Sequence, residues 1–265
     1  MRLLEEELGV KLLIRTGRGI TLTEQGVFLS ERAASMLEQI EDTRRNLVSW
    51  YDNPAGLVRV GMPPTATLGV AATLLEQMKI AHENITVRMS EGLSATLVEW
   101  LMADRLDMAI VFEPPANSSL VMEVIGKEEL CLVVPRGHKC PNPISIEEMS
   151  KLDLIAPFNN KGIRNRMAAA FADAGVEFEV AYEIDALVAI KDLVRAGAGV
   201  SILARSSVRR DVELGQVETR VIASDAMAFD VYLVFSKVAE HSRAARATAA
   251  GIRNIASTLF DRSGR

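Results

Sequence analysis

LEEELGVKLLIRTGRGITLTEQG, residues 4–26, begins almost where the chain begins and reads as the second half of a unit. A cluster of acids runs into Gly9. The segment after it carries Lys11, Arg15 and Arg18 among apolar or small neighbours, with no acid between Gly9 and Ile20. A Gly-containing turn follows. Leu22-Thr23-x-x-Gly26 then starts a helix whose first turn Thr23 can cap.

That helix is expected to run to about Trp50, since no proline interrupts before Pro54. Leu29, Ala33, Met36, Ile40, Thr43, Leu47 and Trp50 alternate spacings of four and three, the seam of a coiled coil. A helix packed on its own domain also shows an apolar stripe. A seam this regular, outside any compact domain, points instead to a partner helix. Asp52-Asn53-Pro54-Ala55-Gly56 breaks the helix and acts as a hinge.

Beyond the hinge the pattern becomes strands alternating with helices. Strands are predicted at 57–62, 85–91, 106–112, 129–135, 153–158, 178–184, 199–204 and 229–236. Helices are predicted at 65–81, 93–105, 162–174, 185–196 and 240–260. The alternation implies parallel sheets flanked by helices. The segment near 129–162, rich in Pro, Gly and Asn, suggests the start of a second lobe.

Bulk properties narrow the classes. With 265 residues, one large or two medium domains are expected. Lys+Arg 30 against Asp+Glu 35 gives a formal charge of −5, which argues against a body coated in nucleic acid but allows a small basic contact. Two cysteines are too few for a disulfide scaffold. No stretch has the length of an apolar membrane span, and the start lacks the pattern of a secretory signal, so a cytoplasmic protein without membrane partners is expected.

Enzyme chemistry has no local support, and neither cofactor nor metal is expected. His82, His138 and His241 sit beside polar or turn residues, and no G-x-S-x-G elbow is present. Cys131 lies in a strand and Cys140 in a Pro-rich loop, without zinc-ligand spacing. Gly197-Ala198-Gly199 precedes a strand, not a helix, so it is no dinucleotide fingerprint. Lys161, Arg164 and Arg166 at a helix start read as a solvated face. Pro63-Pro64-Thr65-Ala66-Thr67 is more informative: it leaves a strand and opens a helix, where N–H groups and two hydroxyls converge. Ligands of open α/β folds sit at such points. A plain cap would account for Thr65; the second hydroxyl keeps a ligand site open.

LEEELG, the basic segment and LT-x-x-G resemble the DNA-binding region of LysR-type transcriptional regulators. The likeness continues, less specifically, through EGLSATLVEWLMADRLDMAIVF (91–112), CLVVPRGHKC (131–140) and VAIKDLVRAGAGVSILA (188–204), in the family's order. GMPPT (61–65) and EGLS are most similar to its nitrogen-assimilation branch.

The resemblance implies an α/β fold: a two-lobed, periplasmic-binding-protein-like effector domain preceded by a long dimerisation helix and part of a winged helix-turn-helix. Residues 1–22 would be the end of the DNA-binding domain, 23–52 the linker helix, and 57–265 the effector domain. Its first lobe would span about 57–129 and 229–265, its second about 130–228. Roughly 35 residues of the family's helix-turn-helix would precede Leu4, leaving Leu3, Leu4 and Leu8 without their packing and promoter binding impaired.

Lys11, Arg15 and Arg18 would be the wing's DNA contacts. Leu29, Ala33, Met36, Ile40 and Leu47 would build a homodimer, or part of a tetramer. Thr65, Thr67, Glu91, Gly92, Phe112, Asn159, Asn160 and Val200 would line an interlobe cleft for a small-molecule effector, with the hydroxyls suited to an anion. The alternative is a stand-alone two-lobed solute-binding protein, against which the heptad helix counts.

Overall fold

Two antiparallel strands tie the molecule together, and both run through the middle of one mixed sheet. In the computed structural model, residues 1–16, 19–48, 54–114, 120–158, 161–224, 226–237, 239 and 242–260 are described. The chain starts with α1 (Arg2–Leu8), which ends at Gly9 in the left-handed conformation (φ 69°) that favours glycine after a helix. β1 (Leu13–Thr16) and β2 (Gly19–Leu22) pair as a hairpin, Leu13 opposite Leu22.

α2 (Glu24–Val48) follows. Thr23 caps it: its Oγ1 accepts the Gly26 N–H at 2.9 Å and donates to the Lys11 carbonyl at 2.7 Å. Gly26 is required where it stands, because a Cβ there would lie 2.1 Å from the Leu12 carbonyl oxygen. The LT-x-x-G phrase is thus one device that docks the helix start onto Lys11 and Leu12, the residues leading into the hairpin.

The remaining elements are β3 (Gly56–Met62), α3 (Pro64–Ala81), β4 (Ile85–Glu91), α4 (Ser94–Met102), β5 (Met108–Phe112), β6 (Val121–Pro135), α5 (Ile146–Met149), β7 (Leu154–Ala156), α6 (Lys161–Asp173), β8 (Tyr182–Glu183), α7 (Leu187–Arg195), β9 (Val200–Ala204), α8 (Arg205–Glu213), β10 (Val217–Val221), β11 (Ala228–Phe235) and α9 (Arg243–Leu259). The strands lie in the order β4-β3-β5-β11-β6-β9-β7-β8, with β10 also on β6. β3 pairs in parallel with β4 and β5, and β7 with β8 and β9, as the alternation predicts. β6, β10 and β11 pair antiparallel, so the sheet is mixed and not purely parallel.

The fold is an α/β two-lobed one. In the first lobe, α3 and α9 cover one face of the sheet through Val70, Leu74, Ile252 and Ile255, and α4 covers the other through Leu97 and Leu101. In the second, α6 packs Ile163, Met167 and Phe171 on one face, and α7 and α8 pack Ile190, Val194 and Val208 on the other. Among the described residues no helix is long and apolar enough to cross a membrane.

Several elements depart from the pattern-based reading. β6 starts at Val121 instead of Glu129, because the Gly- and Glu-containing first half is held by its ladder to β11. The strand predicted at 178–184 shrinks to Tyr182–Glu183, and α5, α8 and β10 were not anticipated. β10 (VETRV) is too charged to stand out as a strand, and α8 carries a helical apolar face too short to rise above its many arginines.

Glu128 sits where the two lobes meet. It faces Phe229 across the β6–β11 ladder, and its buried carboxylate accepts the Ser206 N–H at 3.1 Å and the Ser206 hydroxyl at the start of α8. Burial pushes its pKa up to about 7, against the lowering effect of the Ser206 bonds. The folded chain therefore holds a proton that the unfolded chain releases nearer pH 4.5. Stability from this group is present at low pH and lost as pH rises through about 7. Urea melts should show wild type losing stability relative to Glu128→Gln, on the order of 3 kcal/mol between pH 4.5 and 8. Parallel pH curves for the two proteins would show that the carboxyl titrates no higher in the folded chain than in the unfolded one.

Candidate functional site

Four helices begin at one cavity of about 450 Å³ between the lobes. α3 presents Pro64 and Thr65, α4 presents Ser94 and Ala95, α6 presents Gly162 and Ile163, and α7 presents Leu187. β3 delivers the chain to Pro63, whose extended backbone (ψ 155°) turns it into α3, and Pro64 then fills a first-turn position that needs no N–H. α3, α4 and α7 all start on residues without a side-chain cap: Pro63, Leu93 and Ala186. First-turn N–H groups of a helix have no partner within the helix, and the aligned peptide dipoles leave that end partly positive.

One of the two hydroxyls at the cavity is equally open. Thr65 is buried, yet its Oγ1 has no hydrogen-bond partner. Ser94 accepts the Phe112 N–H at 3.0 Å. The walls are otherwise apolar, with Phe112 and Phe229 tilted against each other at 4.9 Å between centroids, together with Pro157, Ile190 and Leu203. Among the described lining residues none is Lys or Arg; the charged ones are Glu113 and Asp185, and Asp185 accepts the Phe158 N–H at 2.9 Å. Such a space suits a small molecule with an apolar body and an acceptor or anionic group held by backbone N–H groups.

Of the residues singled out in the sequence, Thr65 and Phe112 line this cavity. Thr67 does not: its hydroxyl donates to the Pro63 carbonyl at 3.1 Å, inside the helix. Gly92 holds the turn below the site, its N–H donating to the Met62 carbonyl at 3.1 Å, and Glu91 is exposed at the end of β4. Val200 is buried in the second lobe's core. Asn159 and Asn160 lie outside the described residues. Ser94, Asp185 and Phe229 were missed. Ser94 carried a signal, a small hydroxyl residue opening a helix within EGLS; Phe229 is brought in only by sheet pairing.

At the other end of the chain, Lys11 is largely exposed and lies 3.6 Å from Glu5. Arg18 and the side chains of Arg15 and Leu47 lie outside the described residues. On α2, Met36 and Ile40 are exposed at 61% and 62%, too much for large apolar side chains without a cover, whereas Leu29 and Ala33 are half-buried. No group of three or more potential metal ligands occurs among the described residues.

Residues 52–255 match the family model described as the LysR substrate binding domain. The transcriptional regulator BbuR of Bordetella bronchiseptica is 28% identical over 92% of this chain and 75% of its own length. The nitrogen assimilation regulatory protein nac of Escherichia coli is 29% identical over 78% of this chain and 68% of its own length. Among solved structures, full-length CbnR complexed with its target DNA superposes with a TM-score of 0.74 at 21% identity, over 96% of this chain and 88% of that one.

A buried hydroxyl without a partner costs stability. Thr65→Val, which keeps the shape, should leave the protein as stable as wild type or more stable by about 1–2 kcal/mol. Thr67→Val removes a made bond and should cost about 0.5–1 kcal/mol. Denaturant melts in which Thr65→Val proves the more damaging would mean that its hydroxyl is satisfied in solution.

Proposed function

The chain belongs to the LysR family of transcriptional regulators, and from that premise we propose that a small organic anion in the interlobe cavity alters how a homo-oligomer of this chain holds promoter DNA. It is a regulator with an effector-binding domain, not an enzyme. The observation that carries the effector reading is the buried, unpartnered Thr65 hydroxyl at the uncapped start of α3, facing a cavity onto which three more helices open. A carboxylate there would accept N–H and O–H donors that the protein itself leaves unused, and the aromatic pair Phe112–Phe229 would cover its apolar body.

For DNA we assign Lys11, Arg15 and Arg18 of the wing to phosphate or minor-groove contact, which positions a protein without reading bases. Dimerisation is assigned to the α2 seam of Leu29, Ala33, Met36, Ile40 and Leu47. The solute-binding alternative leaves the hairpin, its Thr23–Gly26 docking onto α2 and the exposed seam without a purpose.

Two measurements test this. Acetate, benzoate and 3-hydroxybenzoate are compared with benzamide, a neutral analogue of the second. A carboxylate that fits should raise the melting temperature by a few degrees, about 2–4 °C per kcal/mol of binding stabilisation for a chain this size. Benzamide should not, and Thr65→Val should lose most of the shift. Equal shifts from benzoate and benzamide, or no shift from any carboxylate, would remove the anion reading. Ile40→Asp places a charge in the proposed seam, where an unpaired one costs several kcal/mol. Light scattering should then report half the wild-type mass; an unchanged mass locates the interface elsewhere.

A further inference from the structure

We propose that Arg166 and Glu113 form an interlobe latch, an ion pair that closes the mouth of the cavity and whose release admits a ligand. Glu113 follows Phe112 directly at the end of β5 in the first lobe, while Arg166 stands on α6 in the second. Glu113 is itself a lining residue. Arg166 lies three and four positions after Ile163 and Gly162, which line the cavity, and so occupies the same helix face. Its Nη2 pairs with the Glu113 carboxylate across the gap.

The two partners are held very differently. Arg166 Nη1 donates to the Ala226 carbonyl at 2.9 Å, and the guanidinium lies 5.4 Å from the centre of the Phe229 ring, itself tilted against Phe112. Its side chain is 23% exposed. Glu113 is 47% exposed, its backbone N–H reaches the Asp230 carbonyl only at 3.4 Å, and its φ of 46° lies in the left-handed region that a residue with a Cβ avoids. Opening therefore requires only Glu113 to swing into water, while Arg166 stays on its aromatic platform.

Closure also carries a defect on each partner. Glu113 holds a strained backbone, and the Arg166 Nε is buried without a hydrogen-bond partner. A half-exposed ion pair is weak to begin with. With strain on one side and an orphan donor on the other, the closed form is balanced close to an open one, which is what a ligand of modest affinity needs to shift it. The consequence for ligand entry rests on the effector reading above; the latch itself is testable with no ligand present.

The test is a distance measurement between spin labels at Glu99→Cys on α4 and Ala169→Cys on α6, both exposed, with Cys140→Ser and the buried Cys131 left in place. Glu113→Gln should shift the open-to-closed ratio by about threefold to tenfold toward longer distances. About 1 M NaCl should do the same to the wild type and add little to Glu113→Gln. An unchanged distribution in Glu113→Gln, or a salt response equal in both proteins, overturns the proposal. Should Glu113→Gln fold poorly, the wild-type salt titration decides alone: no movement of the distance refutes the latch. A latch that opens in the variant while benzoate stabilises neither protein would stand, and the effector reading would fall separately.

Discussion

β6 and β11 run antiparallel side by side, and the rest of the molecule hangs from the two halves of β6. Its first half, from Val121 to Glu129, pairs with β11, and its second half with β10 and β9. The burial pattern changes with the partner: partly exposed side chains come first, then an unbroken buried run from Leu130 to Val134. A strand covered on both faces must be apolar at every position, whereas one covered on a single face need only alternate. One β-strand therefore serves two cores. The parallel strands on either side, β3 and β5 in one lobe and β7 and β9 in the other, send their carboxyl ends toward the junction, which is where the helix starts gather.

This explains what was readable in the sequence and what was not. Strands buried on both faces, such as LVRVGM, DMAIVF and GVSILA, announced themselves because their apolar runs have no other use. The first half of β6 and all of β10 stayed hidden, since Glu123, Lys127 and Glu128 or Glu218 and Arg220 stand in strands only by virtue of neighbours far along the chain. Glu128 makes the point most sharply: a carboxyl inside a ladder is anomalous until Ser206, nearly eighty positions later, supplies the donors. At the cavity, Thr65 was legible because a strand followed by Pro-Pro-Thr fixes the chain's direction and leaves N–H groups bare. Thr67 was not, because nothing local tells whether a hydroxyl turns back to the carbonyl four residues before it or out into open space. Phe229 and Asp185 reach the cavity through the fold's closure alone.

Helix starts, the donors on which the proposed effector site rests, differ physically from lysines or arginines. A cation lining the space would bind almost any anion and would be screened by salt. Backbone N–H groups are fixed in direction, carry only a fraction of a charge, and act in a cavity with apolar walls, where such interactions are least screened. Selectivity then comes from shape and donor direction. Arg166, beside the cavity on α6, pairs with Glu113 and lies against the Phe229 ring.

β5 also runs from the cavity to the turn that meets α2. It ends at Phe112 and Glu113, on the cavity. It begins beside Asp107, whose carboxylate takes the Arg59 N–H at 2.6 Å and its guanidinium at 2.8 Å, while Arg59 Nη1 donates to the Asp104 carbonyl at 3.0 Å. That buried pair makes the turn before β5 and the strand β3 move as one body, because separating the charges would leave an arginine uncompensated in the interior. The same turn meets α2: Arg32 Nη1 donates to the Ala103 carbonyl at 2.7 Å. Between these ends β5 pairs with β11 along its whole length and with β3 at Met108 and Ala109. A single charge-assisted bond, on the order of 1.5–3 kcal/mol, then joins that turn to α2, which follows the β1–β2 hairpin. Effector coupling is typically about 1–3 kcal/mol. One bond of this kind is therefore of the same size as such a coupling.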